Sequence, residues 1–275
     1  MTDKKIFLAC DLDRTVLPNG ADPLSQGAME EFKAFAARED VILAYFTGRS
    51  LTLIHEALQS FDIPFPDIAV GDVGTTMYFF RGGAFRLHDD WIKSMSNDWN
   101  GYDGPALHEL VRDIPDMPLQ EEPKQNTYKR SYYPPYDADK YFFIDEVQKR
   151  LRPKGIDAAV VFSIDEPEQV GLLDILPASA TKKHALQYLH EYLDLDEKQI
   201  VYAGDSGNDI EPLTSGYQSI LVNNARPLVK DEVKTIAKKS GVIDNIYFAK
   251  GGYKGMNGNY TAGILEGLNH FGFID

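Results

Sequence analysis

The sequence contains a single cysteine, Cys10, among its 275 residues. One cysteine excludes an intrachain disulfide and a thiolate metal cluster, because each needs two or more such side chains. Cys10 lies inside an apolar run, which predicts that it packs within a strand. Its position beside Asp11 also allows a redox role, which is the less favoured interpretation.

Long apolar stretches are also missing. No segment approaches the roughly 20 apolar residues that a membrane-spanning helix requires. The apolar run that follows Met1–Lys5 is too short for the core of a signal peptide. We therefore expect no membrane partner and a cytoplasmic location.

Basic residues are scarce, with 28 Lys and Arg against 42 Asp and Glu and a formal net charge of -14. Nucleic acids and anionic membranes attract basic surfaces, so this balance argues against both as partners. An anionic substrate must then be bound locally, by a few cations or by a metal ion. The length is sufficient for one large domain or two smaller ones.

Buried-strand patterns alternate with helical patterns near both ends of the chain. Val41–Phe46 and Ile200–Ala203 are continuous apolar runs, and each has a predicted helix next to it in the sequence. This alternation predicts an α/β fold with a parallel sheet. The other predicted strands are 6–10, 68–70, 77–80, 172–176 and 219–222, and the predicted helices are 23–35, 51–60, 181–192 and 264–271.

The middle of the chain has a different composition. Both tryptophans and many tyrosines and prolines lie between about 87 and 168, where no Thr-Gly or Gly-Asp pair ends a strand. Strand patterns at 127–133 and 158–164 flank a helical pattern at 140–151. We therefore predict an inserted α+β cap domain at 85–167, within a core domain formed by 1–84 and 168–275.

Asp11 and Asp13 follow the first predicted strand directly. Carboxylates just past the carboxyl end of such a strand stand where open α/β sheets bind ligands. One carboxylate can attack phosphorus, and the second can move a proton to and from the leaving oxygen. The simpler alternative is a solvated acidic turn.

Two further strand ends carry polar groups, Thr47 with Arg49 and Asp205 with Asn208 and Asp209. The carboxyl ends of adjacent parallel strands meet at one edge of a sheet, so these groups can converge with Asp11 and Asp13. Crowded carboxylates favour a hard cation with oxygen ligands, and Mg²⁺ fits this pattern.

Two features of the sequence suit the binding of a phosphate. Thr47 and the backbone N–H groups near the next helix start can cradle phosphate oxygens, although Thr47 can also be a plain helix cap. A cation opposite the metal is needed as well, and Lys182 or Lys183 can supply it.

Together these segments resemble the four motifs of the haloacid dehalogenase-like phosphatases, in the right order and at strand ends. The inserted domain resembles the cap of the sugar-phosphatase branch, and nearly the whole chain resembles its sucrose-phosphate phosphatases. The resemblance implies a Rossmann-like parallel-sheet core with helices on both faces. Its motif segments are 11–15, 47–50, the Lys182 region and 204–209, with further echoes at 73–75, 129–132, 174–177, 222–225 and 262–266.

The resemblance also implies residue roles. Asp11 is the expected nucleophile and Asp13 the expected acid and base, while Thr47 and Lys182 hold the phosphoryl group. Asp11, the backbone carbonyl of Asp13 and Asp205 are the expected ligands of Mg²⁺, supported by Asn208 and Asp209. The expected substrate-binding residues in the core are Thr47, Gly48, Arg49 and Asn208, although Arg49 can also pair with a carboxylate at the edge of the sheet. In the cap, the polar and tyrosine side chains of Gln125, Asn126, Lys129, Ser131 and Tyr132 suit a sugar pocket, and the alternative is that they form a solvent-exposed face of a strand.

Two departures from the family affect the substrate. Arg14 stands where relatives usually carry Gly or Asn, and Thr76 stands where sucrose-phosphate phosphatases tend to carry a sugar-recognising Glu. A hydroxyl is a weaker acceptor than a carboxylate, so the reaction type is better defined than the sugar.

Sucrose 6-phosphate is the favoured substrate, followed by mannosyl-fructose phosphate or a glycosyl-glycerate phosphate. The alternatives are a phosphomannomutase-like phosphotransferase and a non-catalytic binding module. We expect a monomer that can associate with the synthase of the sugar phosphate.

Overall fold

The computed structural model describes residues 5–165 and 168–275, which form two compact units. Of these described residues, the first unit takes those within Met1–Gly71, Tyr78–Arg86 and Lys182–Asp275, and the second takes those within Asp72–Met77 and Leu87–Thr181. The chain thus returns to the first unit at Lys182, later than the predicted boundary. The predicted end of the cap at residue 167 lies outside the described residues.

Strands and helices alternate through most of the chain. The strands are β1 (Ile6–Asp11), β2 (Val41–Phe46), β3 (Ile68–Gly71), β4 (Thr76–Arg81), β5 (Ala84–Leu87), β6 (Arg130–Tyr132), β7 (Ala158–Asp165), β8 (Val170–Pro177), β9 (Ile200–Gly204), β10 (Gln218–Leu221) and β11 (Ile246–Phe248). The α-helices are α1 (Ala28–Ala36), α2 (Leu51–Ser60), α3 (Asp89–Ser96), α4 (Gly104–Val111), α5 (Lys140–Leu151), α6 (Lys182–Leu193), α7 (Ile210–Leu213), α8 (Pro227–Ser240) and α9 (Thr261–His270).

A sheet of eight strands has the order β11-β10-β9-β1-β2-β3-β4-β5. Its central strand β1 pairs in parallel with both β2 and β9. Asp11 is opposite Phe46, and Cys10 is opposite Ala203, so the three strands end at nearly the same level. This mostly parallel sheet confirms the predicted α/β class and brings the ends of β1, β2 and β9 side by side.

The second unit contains a three-stranded antiparallel sheet with the order β6-β8-β7. β8 pairs with β7 along its whole length, from Val170 opposite Asp165 to Pro177 opposite Ala158. The prediction that 172–176 is a strand of the core sheet is therefore wrong. An apolar run of this length fits either sheet, and only the pairing decides between them.

Each unit has its own hydrophobic core. Buried side chains from β1, β2, β9 and α9 form the core of the first unit, including Leu8, Leu43, Val201 and Ile264. The core of the second unit includes Trp99, Leu107, Tyr132, Val147 and Leu173. Among the helices of the described residues, none has both the length and the apolarity to span a bilayer.

The first helix begins later than its apolar spacing predicted. α1 starts at Ala28, and Gly27 before it has a φ of 80°. Such a positive φ lies outside the right-handed helical region and suits glycine. Pro23 and Leu24 therefore belong to the preceding loop, and the predicted helix start near residue 23 is wrong.

The thiol of Cys10 is fully buried in β1. Burial raises its pKa well above the usual value, and the neighbouring Asp11 raises it further. Because the thiolate is the reactive form, native Cys10 should resist iodoacetamide even as the pH rises into the mildly alkaline range. Mass spectrometry of native and denatured protein checks this, and equal labelling of the two would contradict it.

Candidate active site

Asp11 is the last residue of β1 and is only 4% exposed. Its Oδ1 accepts a hydrogen bond of 2.5 Å from Lys182 Nζ, whereas its Oδ2 is buried and has no hydrogen-bond partner. Burial raises the pKa of Asp11 well above the usual value, more than Lys182 lowers it. A further positive charge next to Oδ2 would favour the ionised carboxylate.

Lys182 is the first residue of α6 and is almost completely buried. Its ammonium group donates to Asp11 Oδ1, to Asp209 Oδ1 at 2.8 Å and to Asn208 Oδ1 at 3.2 Å. Burial opposes its charge, but Asp11 and Asp209 raise its pKa, so the group stays protonated. Of the two candidate lysines, Lys182 therefore supplies the cation among the carboxylates.

Asp209 anchors the loop that follows β9. Its Oδ1 accepts from Lys182 and from the Tyr202 hydroxyl at 2.7 Å, and its Oδ2 accepts from the backbone of Asp205 and from Ser206. Burial disfavours its charge, but Lys182 and these hydrogen bonds lower its pKa. A Cβ at Gly204 would lie 2.5 Å from Asp209 Cγ, so the Asp209 side chain can lie this close to the backbone of residue 204 only because that residue is glycine.

Asp205 lies beside this anchor and is 2% exposed. Its Oδ1 accepts from the Thr15 hydroxyl at 3.2 Å, and its Oδ2 lies 3.3 Å from Arg14 Nε. Burial and the charge of Asp209 raise the pKa of Asp205 to about 7. The ionised form of Asp205 is thus only weakly stabilised by the protein groups around it.

Three buried carboxylates bring oxygen atoms within 4.8 Å of one another: Asp11, Asp205 and Asp209. Such an all-oxygen group suits Mg²⁺. Asp209 already uses both oxygens in hydrogen bonds, whereas Asp11 Oδ2 is unpartnered. The residues therefore fit an ion held by Asp11 and Asp205 and supported by Asp209. The side chain of Asp13 lies outside this group.

Asp13 instead forms a bidentate ion pair with Arg49, with distances of 2.6 Å from Nη2 and 2.8 Å from Nε. Asn19 donates to the same carboxylate at 2.7 Å. Burial opposes the charge of Asp13, but the hydrogen bonds from Arg49 lower its pKa. In this arrangement the carboxylate is ionised, as a proton acceptor has to be.

Thr47 follows β2 directly and is 1% exposed. Its hydroxyl accepts from the backbone N–H of Arg49 at 3.2 Å, and Gly48 between them is exposed. Helix α2 begins at Leu51 with Ser50 as its N-cap residue, so Thr47 is not the cap. Thr47 stays a prediction as a phosphate-binding residue, and the alternative of a plain helix cap is excluded.

The sequence reasoning missed two side chains of this site. Tyr202 points its hydroxyl at Asp209 from within β9, although a tyrosine in an apolar strand carries no signal of such a role. The sequence marks Arg14 as a departure from the family pattern without indicating its partner, and in the structure its Nε lies 3.3 Å from Asp205 Oδ2.

The predicted cap residues lie in the second unit, in a polar cluster with Asp72, Thr75 and Thr76. Lys129 Nζ is 3.5 Å from Asp72 Oδ1, Thr76 donates to Asp72 Oδ2 at 3.1 Å, and Asn126 donates to Thr75 Oγ1 at 2.8 Å. Burial raises the pKa of Asp72, although Lys129 opposes this. Lys129 is 5% exposed, so the pair is largely withdrawn from solvent.

Other predicted cap residues serve the fold. The Gln125 side chain bonds the backbone of Gln120 and of Ser131, and the Ser131 hydroxyl donates to Asp174. Tyr132 is fully buried in the core of the second unit, with its hydroxyl 3.0 Å from His108 Nδ1. The expectation that the Tyr132 ring offers a face to a sugar is not supported by this burial.

Comparison with known proteins finds one protein family that matches nearly the whole chain. The model of a family described as sucrose-6F-phosphate phosphohydrolase matches residues 4–272. A HAD-like hydrolase of Nitrosococcus oceani is 45% identical over 269 residues, which cover 98% of this chain and 72% of the relative. A mannosylfructose-phosphate phosphatase of Agrobacterium fabrum is 28% identical, with 97% and 96% of the two chains covered.

One solved structure resembles this chain over nearly the full length of both proteins. The sucrose-phosphatase of Synechocystis sp. PCC6803, solved in complex with sucrose and phosphate, has a TM-score of 0.78 and 26% identity, with 98% of each chain covered. Plant sucrose-phosphatases also match, and the chain spans 60% of the length of two of them from Arabidopsis thaliana.

Lys182 and Lys183 provide a matched pair for testing this charge cluster. Lys182→Met should destabilise the protein by about 3–5 kcal/mol, because it leaves buried carboxylates without their cation. Lys183→Met, at a half-buried position next to it, should change stability by about 0.5 kcal/mol or less.

Urea denaturation in the presence of a chelator measures both effects. The deficit of Lys182→Met should shrink as the pH falls through the acidic range, because protonated carboxyls no longer need the cation. Equal stability of the two variants would contradict the assignment of Lys182.

Proposed function

The chain belongs to the sucrose-6F-phosphate phosphohydrolase family of phosphatases, and we propose that it is a Mg²⁺-dependent phosphatase of a phosphorylated disaccharide or glycoside. The favoured substrate is sucrose 6-phosphate. The family match over residues 4–272 supports this proposal, as does the likeness to the sucrose-phosphatase of Synechocystis.

The observation that carries the proposal is the state of Asp11. One of its oxygens is held by Lys182 at 2.5 Å, and the other is buried without a hydrogen-bond partner. A nucleophile requires a free lone pair and a fixed direction. Asp11 combines both at the carboxyl end of β1, where open α/β sheets bind ligands.

In the first step the carboxylate of Asp11 attacks phosphorus, and the bond from phosphorus to the sugar oxygen breaks. Asp13 gives a proton to that oxygen, and the phosphoryl group stays on Asp11 as an aspartyl-phosphate. Thr47 and Lys182 hold the phosphoryl oxygens during this transfer. Their donors act where negative charge spreads in the transition state.

In the second step Asp13 takes a proton from water, whose oxygen attacks phosphorus and releases phosphate from Asp11. The ion pair with Arg49 lowers the pKa of Asp13 and so favours the base form required here. To act as the acid in the first step, Asp13 must leave Arg49 and take up a proton from solvent, because a carboxylate bound twice by arginine holds a proton poorly. The proton that Asp13 takes from water in the second step replaces the one that it gave to the sugar oxygen.

Mg²⁺, when bound by Asp11, Asp205 and the backbone carbonyl of Asp13, supplies positive charge for the phosphate dianion and the attacking carboxylate. Asp209 and Asn208 keep this group in place through Lys182 and the loop after β9.

For the sugar, we propose the cluster of Asp72, Thr76, Asn126 and Lys129 as the recognition element. A charged pair and an amide can exchange hydrogen bonds with hydroxyl groups, which gives strong discrimination between sugars. Arg49 and Gly48 are proposed to bind the phosphate end. Cytoplasmic location, a monomeric state and association with a synthase stay predictions from the sequence.

Mannosyl-fructose phosphate is the second candidate substrate. The Agrobacterium phosphatase that carries this name aligns over nearly the full length of both chains. The hydroxyl of Thr76 also stands where sucrose-phosphate phosphatases tend to carry a carboxylate. Both observations make mannosyl-fructose phosphate the candidate that follows sucrose 6-phosphate.

Phosphate release from a panel of phosphorylated disaccharides and glycosides tests the proposal. We expect Mg²⁺-dependent release from sucrose 6-phosphate, lost on chelation and reduced by a factor of at least about 10³ in Asp11→Asn, which removes the nucleophile. Asp62→Asn, at a side chain that is 93% exposed, is the matched control and should behave as the wild type.

Release from no phosphate ester by a folded wild-type protein would refute the phosphatase. Transfer of phosphate to a second sugar, without release, would favour the phosphotransferase instead.

Thr76→Glu tests the recognition of the sugar. The added carboxylate is a charge-assisted acceptor, so selectivity for sucrose 6-phosphate over mannosyl-fructose phosphate should rise by about tenfold in kcat/KM. Thr76→Gln has the same length without the charge and should change the ratio much less. An unchanged ratio in Thr76→Glu would remove position 76 from sugar recognition.

A further inference from the structure

Arg14 has an unusual backbone conformation in the loop after β1. Its φ is 61°, a left-handed value that glycine and asparagine adopt readily and arginine rarely does. Two side chains hold this conformation: Asn19 accepts from the Arg14 N–H at 2.8 Å, and Asn224 donates to the Arg14 carbonyl at 2.6 Å. The backbone of the loop therefore fixes the position of the Arg14 Cα atom and the direction in which its side chain leaves the backbone.

The same partners fix the guanidinium group. Nη2 of Arg14 donates to the Asn224 carbonyl at 3.3 Å, and Nε lies 3.3 Å from Asp205 Oδ2. Asn224 is itself held, because its Oδ1 accepts from the N–H of the buried Tyr260 at 2.8 Å. Nε is buried and makes no hydrogen bond of good geometry, so its contact with Asp205 is mainly Coulombic.

This contact changes the charge of the site. The carboxylates of Asp11, Asp205 and Asp209, when ionised, carry three negative charges, and Lys182 provides one positive charge. Arg14 provides a second, at the carboxylate that Lys182 does not contact. A divalent cation then meets one net negative charge instead of two, and it must share Asp205 with the guanidinium. An entering phosphate dianion meets less repulsion.

We propose that Arg14 is an internal counter-cation of this site, which weakens the binding of Mg²⁺ and strengthens the binding of the phosphate dianion. This inference rests on the proposed function, because it assumes that the site takes both ions. Arg14 acts through Asp205 and through charge, and so it is a positioning residue.

Arg14→Asn removes the charge and tolerates the left-handed φ, and Arg14→Lys keeps the charge. Isothermal titration calorimetry with MgCl₂ and, separately, with inorganic phosphate measures binding without turnover. We expect Arg14→Asn to bind Mg²⁺ about tenfold more tightly and phosphate about tenfold more weakly than the wild type, and Arg14→Lys to stay within about threefold. Both differences should shrink with added salt.

Arg14→Gly replaces Arg14→Asn if the latter fails to fold, since glycine also accepts this φ. A folded variant without the charge, whose affinities for both ions equal those of the wild type, would overturn the inference. So would a loss of affinity for both ions, which indicates a damaged loop, or a wild type that binds no Mg²⁺. If Arg14→Asn binds Mg²⁺ more tightly and phosphate more weakly, as expected, but the wild type hydrolyses no sugar phosphate, the inference is supported and the proposed phosphatase is refuted.

Discussion

The buried ammonium of Lys182 is the interaction on which the site depends. It contacts Asp11 at the end of β1 and Asp209 in the loop after β9, and it begins α6. Charges withdrawn from water are tolerated only when they are paired and hydrogen-bonded. Lys182 therefore joins three segments that are far apart in sequence. Both the packing of these segments and the pairing of their buried charges require them to stay in this arrangement.

The carboxylates around Lys182 have different partners, and this difference gives them different uses. Asp209 has both oxygens occupied by Lys182, Tyr202, Ser206 and backbone donors, which suits an anchor. Asp11 keeps one oxygen without a partner, which suits chemistry or a metal ion. Two chemically identical groups thus acquire separate roles from the hydrogen bonds that each receives.

The protein as a whole carries a formal net charge of -14, yet cations are concentrated at this edge of the sheet. Three ion pairs lie here: Lys182 with Asp11, Arg49 with Asp13, and Arg14 with Asp205. Each cation is tied to a carboxylate of the site, so the local charge is close to balance while the surface stays acidic. A dianionic ligand can then approach a protein whose overall field repels it.

The sequence by itself determined the α/β class and the strands that end at the site, because apolar runs such as Val41–Phe46 reflect burial that neighbouring residues impose. It also placed Asp11, Thr47 and Asp205 near one another, since the parallel strands before them end at a common edge, whereas Lys182 begins a helix that follows a strand of the other sheet. The place of Val170–Pro177 in the second sheet and the partners of Arg14 and Tyr202 were decided only by tertiary structure. Strand pairing and side-chain partners depend on the packed arrangement of the chain, which local pattern and propensity do not report.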